Sequence, residues 1–459
     1  MNCFTFVLMI LNDTIVALAT PSGIGAIGLI RVSGTATFEI IEKMLHKSIK
    51  GKKSHSIVLR ELYDTEGVID EVLISVFRGT RSYTGEDTIE ISIHGSDYIA
   101  TRLIKSLLHH GARMAEPGEF TQRAFLNGKL DLAQAEAVAD VIASEHQFAH
   151  EQAMKQLRGG YSKDIQSLRG KLLNFTSLIE LELDFGEEDV EFASRDELRN
   201  LVLEIKNRVD RLSDSFTLGN ALKKGFTVVL AGRPNAGKST MFNALLNEDR
   251  AIVSDIEGTT RDSIEELIQV SGIRMRVVDT AGIRDATDVI EKEGINRTFK
   301  HVEASGITLY LFDPSHTTPR EVSSDLGILK NKTDRVWTIA NKMDLFTGNL
   351  NDFGVVDAQV SAKDANNVVA LFDKIVQELT SEISNLSNEI VVTNARHAES
   401  FRLCSNELQS ILDGIENSLT GDLLSFHLRS GIKALASITG EIDNEEVLGN
   451  IFSKFCIGK

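Results

Sequence analysis

The sequence has 459 residues, which is too long for a single hydrophobic core and predicts about three domains. Its hydrophobic content of 42% and charged content of 25% are ordinary for a soluble globular protein. With 49 Lys and Arg against 66 Asp and Glu, the net charge is −17, which excludes a polycation that coats nucleic acid indiscriminately. Cys3, Cys404 and Cys456 are too few and too scattered for a disulfide framework or a zinc site, as expected in a reducing cytosol.

The first apolar run, residues 3–11, has no basic flank and is too short to cross a membrane. We therefore predict a cytoplasmic protein without a membrane span. The residues that follow Met9 resemble an ordinary N-terminus more than those that follow Met1 do. Either methionine could therefore be the true first residue, and residues 1–8 could be an optional extension.

Residues 1–127 contain β-rich stretches with helices between them and predict a small α+β domain. The β-rich stretches lie at residues 14–20, 27–32, 71–77 and 88–94. The last stretch alternates with a period of two, which places Ile89, Ile91 and Ile93 on one face. Glu90 then lies on the polar face of the same strand.

Two helical segments, residues 128–224 and 383–459, flank an α/β segment at residues 225–382. Residues 180–191 hold seven acids and no base, which favours a solvated loop between two helices. Because the termini of a compact domain often lie close together, a domain can be inserted into a surface loop of another. We therefore predict a multidomain α/β and α protein, in which one helical bundle built from two chain segments is interrupted by an inserted domain.

The inserted segment opens with a phosphate-binding motif. The apolar strand 226–231 runs into Gly232-Arg-Pro-Asn-Ala-Gly237-Lys238-Ser239 and then into a helix. In that strand–loop–helix context the pattern predicts a loop whose backbone N–H groups cradle the phosphates. Lys238 would neutralise the β- and γ-phosphates, and the Ser239 hydroxyl would bind Mg²⁺. The predicted nucleotide contacts of this loop are Asn235, Ala236, Gly237, Lys238, Ser239 and Thr240.

Two further motifs follow in the order expected for the γ-phosphate side of such a site. In Gly258-Thr259-Thr260, the side chain of Thr260 can contact both Mg²⁺ and the γ-phosphate. A strand at 275–278 ends in Asp279-Thr280-Ala281-Gly282, where Asp279 can hold the Mg²⁺ shell and the Gly282 N–H can contact the γ-phosphate.

A guanine-reading motif comes next. Asn341-Lys342-Met343-Asp344 follows a strand at 336–340, and the Asp344 carboxylate can accept hydrogen bonds from guanine N1–H and the 2-amino group. Adenine lacks that pair of donors, so the match selects GTP over ATP by roughly 1–3 kcal/mol or more. Ser361-Ala362-Lys363, after a predicted strand at 355–360, can brace the base. The motifs in this order predict a Ras-like P-loop GTPase domain.

The residue after Asp279-Thr-Ala-Gly is Ile283, where many small GTPases carry a water-orienting glutamine. An aliphatic side chain cannot orient water, so the domain is either a poor hydrolase alone or borrows another group. An arginine finger contributes about 10³–10⁵ in rate elsewhere, and a monovalent cation in the same place could act likewise. Asn235, inside the phosphate loop, offers a side-chain oxygen for such a cation.

Three more motifs are not shared by GTPases in general. They are Thr84-Gly-Glu-Asp87, the run from Pro117-Gly-Glu-Phe to Glu136, and the terminal Phe455-Cys-Ile-Gly-Lys459. With them the chain resembles the MnmE (TrmE) family of tRNA-modifying GTPases from about Asn12 to Lys459. The resemblance implies a hydrolase that installs an aminomethyl or carboxymethylaminomethyl group at C5 of the tRNA wobble uridine, U34. It also implies a homodimer through the N-terminal domains and a heterotetramer with the flavin-dependent protein MnmG (GidA).

The resemblance also implies roles for individual residues. The nucleotide contacts would include Ser254, Asp255, Ile256, Glu257, Gly258 and Thr259, and the K⁺ that joins two G domains would bind Asn235, Ser254, Ile256 and Thr259. Glu291 would orient the attacking water through a further water. A 5-formyltetrahydrofolate-type one-carbon donor would bind Arg31, Glu90, Lys129 and Lys459. Cys456 would be needed for modification, although an inert thiol stays possible.

Two other interpretations stay open on the residues alone. A ribosome-assembly GTPase would share the nucleotide motifs but would usually carry a basic RNA-binding module. A regulatory GTPase could bind a ligand in its N-terminal domain only for structure. Any RNA contact must come from local patches such as Lys47, Lys50, Lys52 and Lys53, for which a solvated lysine-rich turn is the more ordinary interpretation.

Overall fold

The computed structural model describes most of the chain, and the chain divides into two compact units. The described residues are 13–184, 194–246, 264–271, 273–279, 302, 306–333, 335–386, 391–441 and 445–458. The first unit comprises Met1–Ile142, Gln156–Ala193 and Leu419–Lys459, and the second comprises Ala143–Lys155 and Ser194–Ser418. The four segments expected from the sequence, with one bundle built from two of them, stay predictions.

Twelve strands lie in the described part of the chain: β1 (Thr14–Leu18), β2 (Ile27–Gly34), β3 (Ser56–Asp64), β4 (Gly67–Phe77), β5 (Thr88–His94), β6 (Arg113–Met114), β7 (Phe226–Gly232), β8 (Ile264–Val270), β9 (Ile273–Asp279), β10 (Ile307–Phe312), β11 (Val336–Ala340) and β12 (Ala358–Gln359). The α-helices of the same residues are α1 (Thr37–Glu42), α2 (Asp97–His109), α3 (Glu119–Leu126), α4 (Leu132–Ile142), α5 (Gln147–Leu157), α6 (Ser162–Asp184), α7 (Arg195–Lys224), α8 (Lys238–Leu246), α9 (Pro319–Lys330), α10 (Ala365–Leu386), α11 (Ala395–Glu416), α12 (Gly421–Thr439) and α13 (Glu445–Phe452).

The first unit is built around a six-stranded sheet in the order β3-β4-β5-β2-β1-β6. The neighbours from β3 to β1 are antiparallel, whereas β6 pairs with β1 in parallel. The alternation predicted in β5 is confirmed, because Ile89, Ile91 and Ile93 are buried in the core. The strands β3 and β6 were not predicted; β6 has only two residues, too few to produce a periodic pattern.

A buried arginine joins two of the family-typical motifs inside this unit. The Arg123 side chain is fully buried; its Nη1 lies 3.2 Å from Glu86 Oε2 and its Nη2 lies 2.9 Å from Glu119 Oε1. The Asp13 carboxylate also accepts from Arg123. A buried charge persists only when it is paired and hydrogen-bonded. The Thr-Gly-Glu-Asp and Pro-Gly-Glu-Phe motifs therefore stabilise the fold of the N-terminal sheet and its helices.

The helices of the first unit correct one expectation about the acidic run. Residues 180–184 do not lie in a loop, because α6 continues to Asp184. These residues pack against a helix far along the chain: Gly421 of α12 lies against Ile179 and Leu183, and Arg429 donates to Glu180 Oε1 at 2.6 Å. The remaining residues of the acidic run, 185–191, lie outside the described part of the chain.

The second unit holds the predicted nucleotide-binding sheet, in the order β12-β11-β10-β7-β9-β8. All pairs are parallel except the edge pair β8–β9, and the strands from β7 to β11 are largely buried. Parallel strands covered by helices on both faces place their loops at one carboxyl edge, where such sheets bind ligands. In the same unit, α7 packs along α11, and Ser215 Oγ accepts from the Val392 N–H at 3.0 Å.

The strand predicted at residues 355–360 is shorter than expected. Only Ala358–Gln359 form β12, because Gly354 turns the chain with a φ of 78° and Val355 is 80% exposed. Among the described residues, none of the helices is both long enough and apolar enough to cross a bilayer.

Candidate functional site

The phosphate loop connects β7 to α8 as the motif predicts. Gly237 has a φ of 94°, and a Cβ at this position would lie 2.2 Å from Asn341 Nδ2. Any larger residue is therefore excluded both by backbone conformation and by contact. Because α8 begins at Lys238, the loop presents the N–H groups of a helix N-terminus to a bound phosphate. Asn235, with a φ of 60°, and Thr240 are both exposed at this loop.

The Lys238 side chain folds back over its own loop. Its Nζ donates to the carbonyl oxygens of Gly232 at 3.0 Å and Arg233 at 3.1 Å. Burial lowers the pKa of this ammonium group, and the nearby Asp279 carboxylate opposes that effect. The positive charge of a partly buried ammonium group is only partly balanced by one nearby carboxylate, so this group is suited to bind a negatively charged phosphate.

Ser239 and Asp279 meet at the end of β9. Ser239 Oγ donates to Asp279 Oδ2 at 2.8 Å, whereas Asp279 Oδ1 is buried and has no hydrogen-bond partner among the described residues. A hydroxyl and a carboxylate with a spare oxygen are hard ligands of the kind that Mg²⁺ prefers beside phosphates. The residues present therefore fit the predicted metal.

The guanine-reading segment is fixed to the phosphate loop by Asn341. This side chain is fully buried; its Nδ2 donates to the Ala236 carbonyl at 2.8 Å, and its Oδ1 accepts from the N–H groups of Lys342 and Ala362. Three of the predicted motifs thus meet at one amide. Asn341 holds these loops together.

The Asp344 carboxylate is exposed at the edge of the sheet. Ser361 Oγ donates to its Oδ1 at 2.8 Å, which orients the carboxylate toward the space where a base would lie. Lys363 is exposed beside it. The ammonium group of Lys342 lies 2.9 Å from Asp313 Oδ2. The structure therefore brings the predicted base-binding residues together.

Sequence reasoning missed Asp313, although an acid directly after a buried strand was a usable signal. Burial would raise the pKa of this carboxyl, but the Lys342 ammonium, the Ser315 N–H and the His316 ring together lower it. Asp313 thereby holds the Lys342 ammonium group beside the end of β10.

Sequence reasoning also missed the partners of Arg233, the second residue of the phosphate loop. Its Nε donates at 2.8 Å to Asp325 Oδ2, which also accepts from the Tyr310 hydroxyl at 2.9 Å, and its Nη1 contacts Glu321. Asp325 is fully buried on α9, and hydrogen bonds from the Thr318 backbone and hydroxyl, with Arg233, lower the pKa of Glu321 to about 2. The network anchors the phosphate loop to α9.

Several predicted nucleotide and K⁺ residues lie outside the described part of the chain. They are Ser254, Asp255, Ile256, Glu257, Gly258, Thr259, Thr260, Thr280, Ala281, Gly282 and the predicted water-orienting Glu291. Lys459 of the predicted folate site lies outside it as well.

A second group of predicted residues gathers on the sheet of the first unit. Arg31 and Glu90 are directly opposite one another on β2 and β5, and Arg31 Nε donates to Glu90 Oε1 at 2.9 Å. The Arg31 guanidinium also lies 5.3 Å from the centre of the Tyr83 ring. Tyr83 and Lys129 line one cavity of about 430 Å³, and Lys129 Nζ donates to the Thr80 carbonyl. Phe77 and Arg81 line the same cavity, which is largely open to solvent.

The C-terminal tail ends against the same arginine. Arg31 Nη1 donates to the Gly458 carbonyl at 3.3 Å, and a Cβ on Gly458 would lie 2.5 Å from the Leu18 carbonyl. Only a glycine therefore fits in the Cys-Ile-Gly-Lys tail at this point, where φ is 97°. Cys456, two residues earlier, is an exposed free thiol.

A largely parallel sheet with a phosphate loop at its carboxyl edge, a neighbouring Ser–Asp pair and an Asn-Lys-x-Asp loop defines the P-loop GTPase class. The sequence models of two domains of one family match the chain: the N-terminus of the GTP-binding protein TrmE at residues 14–129 and the MnmE helical domain at residues 132–456. The chain belongs to the MnmE (TrmE) family of tRNA modification GTPases.

Curated relatives extend this match along nearly the whole chain. The tRNA modification GTPase MnmE of Cytophaga hutchinsonii is 47% identical over 454 residues and covers 98% of each chain. Those of Flavobacterium johnsoniae and Bacteroides thetaiotaomicron are 47% and 46% identical, and each alignment covers 98% of this chain and 100% of the relative. The chain is thus a GTP-hydrolysing enzyme of this family, and the ribosome-assembly interpretation is set aside.

Proposed function

We propose that this protein hydrolyses GTP to drive the modification of tRNA at C5 of the wobble uridine. The observation that carries the proposal is the junction at Asn341, which unites the phosphate loop, the guanine-reading segment and the bracing loop. A nucleotide whose base and phosphates are bound by linked loops can report its hydrolysis to the rest of the domain.

In the proposed reaction, water attacks the γ-phosphorus and the β–γ anhydride bond breaks, giving GDP and phosphate. Lys238 and the N–H groups at the start of α8 stabilise the charge that moves onto the β-phosphate. Mg²⁺ bound by Ser239, with Asp279 in its shell and Thr260 beside the γ-phosphate, would neutralise further phosphate charge. Asp344 selects guanine.

We further propose that hydrolysis depends on K⁺ and on the pairing of two G domains. The sequence motif has Ile283 where a water-orienting glutamine is common, so the group that orients water must come from elsewhere. Glu291 is our candidate. The exposed side chain and left-handed backbone of Asn235 support its proposed role as a K⁺ ligand at the dimer contact, together with Ser254, Ile256 and Thr259.

Turnover of GTP in KCl against NaCl at matched ionic strength tests this mechanism, with G-domain association followed in parallel. We expect fast hydrolysis and association only in KCl. Glu291→Ala should lose hydrolysis while it still binds GTP, and Glu293→Ala, two residues away, is the matched control. Equal rates in the two salts would exclude the K⁺-dependent mechanism.

We propose that the first unit binds a 5-formyltetrahydrofolate-type one-carbon donor at Arg31, Glu90, Lys129 and Lys459. The Arg31–Glu90 pair and the cavity beside Lys129 support this site. The exposure of Cys456 near the same arginine supports a role for its thiol in the modification.

The proposed assembly is a homodimer through the N-terminal domains that also binds MnmG and tRNA. An exposed apolar face of the first sheet supports the homodimer: Ile57, Leu59 and Leu73 are 66%, 53% and 46% exposed, and Leu59 pairs with Leu73 across β3 and β4. Sedimentation of Leu59→Glu with Leu73→Glu should show monomers. Val355→Glu, at an apolar residue that is 80% exposed in the second unit, should leave the dimer intact.

Deletion of the gene tests the tRNA substrate. Mass spectrometry of tRNA from the deletion strain should show U34 without its C5 group, and ribosome profiles should be normal. The wild-type gene should restore the modification, whereas a Glu291→Ala copy should not. Intact U34 modification in the deletion strain would exclude the proposed substrate.

A further inference from the structure

A cleft that no proposed site uses lies on the first unit, between α2 and the turn that joins β3 to β4. Its volume is about 710 Å³, and its lining combines basic and aromatic side chains. Among its lining residues are Lys43, His46, Tyr63, Tyr98 and Lys105. Such a lining is typical of surfaces that bind single-stranded nucleic acid, because cations meet phosphates and rings stack on bases.

The chain that leaves this cleft is the most basic stretch of the first unit. Between Glu42 and Glu61 there are six Lys and Arg residues and no acid, in a protein whose net charge is −17. Five of the six are exposed lysines within eleven residues, which we call the lysine loop: Lys43, Lys47, Lys50, Lys52 and Lys53. Like charges repel, so their concentration here is unfavourable unless a polyanion binds.

The backbone of the lysine loop is fixed. Ile49 is fully buried, and its N–H donates to Glu42 Oε1 at 2.6 Å. Arg78 donates to the carbonyl oxygens of Lys50 at 2.5 Å and Lys52 at 2.9 Å, and its guanidinium lies 3.9 Å from the centre of the Phe38 ring. A fixed backbone lowers the entropy that binding must overcome.

The ammonium groups themselves are free to bind. Lys43 donates to the His110 carbonyl at 3.4 Å, but Lys47, Lys50, Lys52 and Lys53 form no side-chain hydrogen bond or ion pair with the described residues. A solvated face usually mixes both signs of charge, which this loop does not.

The cleft beside the loop supplies rings and little net negative charge. The His46 and Tyr63 rings lie 3.9 Å apart, and Tyr98 is 67% exposed. Asp64 is neutralised by Arg102, whose Nη2 and Nε lie 2.6 and 2.7 Å from its two oxygens. Glu66, exposed at the rim, and the exposed Glu61, which accepts from the Tyr63 hydroxyl, are acids that oppose anion binding here.

We propose that the lysine loop and this cleft bind the phosphodiester backbone of RNA, with Lys47, Lys50, Lys52 and Lys53 on successive phosphates and Tyr98 against an unstacked base. The inference rests on the proposed function, in which the RNA is tRNA. Lys43 and Lys105 meet the phosphate nearest the cleft. An acidic protein surface is the competing occupant.

The test is the affinity of the full-length protein for unmodified tRNA over a range of KCl concentrations. A variant with Lys47, Lys50, Lys52 and Lys53 all changed to Gln should bind about tenfold or more weakly. The slope of log K against log [KCl] should fall in magnitude by about 3, since four phosphate contacts are lost and each contributes roughly 0.7–0.9. Tyr98→Ala should weaken binding without changing the slope.

The matched control removes four positive charges elsewhere, through Lys155→Gln, Lys163→Gln, Lys330→Gln and Lys433→Gln, all at exposed lysines. It should keep the wild-type affinity and slope within about twofold, because only charges at the contact release counterions. The thermal unfolding profile of the full-length protein and its GTP affinity should be unchanged in all variants, which shows that both units fold.

The outcomes separate the inference from the proposed function. If wild type binds tRNA and the loop variant binds it equally well with the same slope, the inference is wrong and the proposed function stands. If the loop variant instead loses self-association or MnmG binding, the occupant is an acidic protein surface, and the inference is also wrong. If wild type binds no tRNA, both the inference and direct tRNA binding fail.

Discussion

Arg31 and Glu90 face each other on adjacent strands and form an ion pair, although the family resemblance implies that each contacts a folate. The Arg31 Nε and Nη2 atoms lie 2.9 and 2.8 Å from the same Glu90 oxygen, Oε1. Glu90 Oε2 has no hydrogen-bond partner among the described residues. The arginine therefore fixes the carboxylate and leaves one oxygen for a ligand, which makes Arg31 a positioning residue as well as a candidate contact.

Changing Glu90 to Ala should weaken the binding of 5-formyltetrahydrofolate by roughly 10- to 100-fold, since a hydrogen bond to a charged group is worth about 1.5–3 kcal/mol. Arg31→Ala should also weaken binding, because it releases the carboxylate. Isothermal titration calorimetry on the full chain measures both. Glu71→Ala, at an exposed acid on β4, is the control. Unchanged affinity in Glu90→Ala would remove the site assignment.

Changing Asp344 to Asn should convert the preference for guanine into one for xanthine. The amide offers one donor and one acceptor, which matches the N1–H and C2 carbonyl of xanthine instead of the two donors of guanine. We expect GTP affinity to fall by about 10- to 100-fold, the cost of one lost bidentate match. Competition between GTP and XTP measures it, with exposed Asp352→Asn as the control. Equal preference in variant and wild type would contradict this role for Asp344.

Changing the buried Asp325 to Asn should destabilise the second unit by about 2–3 kcal/mol, since it breaks a largely buried ion pair with Arg233. The phosphate loop then loses its anchor on α9, so the Kd for GTP should rise too. Tyr310→Phe removes only the hydroxyl that donates to Asp325 and should cost about 1 kcal/mol. Urea unfolding with and without GTP measures both variants. If the two variants lose the same stability, the anchoring role of Arg233 is wrong.

Stability should fall as the pH drops below about 6.5, the ordinary pKa of histidine, because of His146. Burial lowers the pKa of this ring, and the Lys223 carbonyl opposes the effect. Nδ1 accepts from the Ala149 N–H at 3.3 Å and caps α5, while Nε2 faces the Lys223 carbonyl. The pKa of this ring is lower in the folded state than in the unfolded state. The stability that it contributes is therefore fully present above the unfolded pKa and is lost as the pH falls from there through the folded pKa.

His146→Asn keeps a cap that cannot be protonated and should therefore flatten the dependence of the unfolding midpoint on pH between 7.5 and 5. A cap is worth about 1 kcal/mol. Exposed His150→Asn, on the same helix, should leave the wild-type dependence in place. The same pH profile in His146→Asn and wild type would show that another group is responsible.

The sequence by itself determined the family and the phosphate loop between β7 and α8. The phosphate loop is a local structure, because its glycines, Lys238 and Ser239 act through backbone conformation and adjacency to β7 and α8. The alternation in β5 was readable from the sequence for a similar reason, since burial of one face of a strand imposes a period of two.

The tertiary structure decided which distant side chains meet. Arg233 reaches Asp325 across 92 residues, and Arg429 reaches Glu180 across 249. Arg31 pairs with the Glu90 carboxylate on β5 and donates to the carbonyl of Gly458, which lies 427 residues along the chain. Such pairs leave no local pattern, because an ion pair depends on the distance that packing sets between two helices or strands and not on the residues next to it.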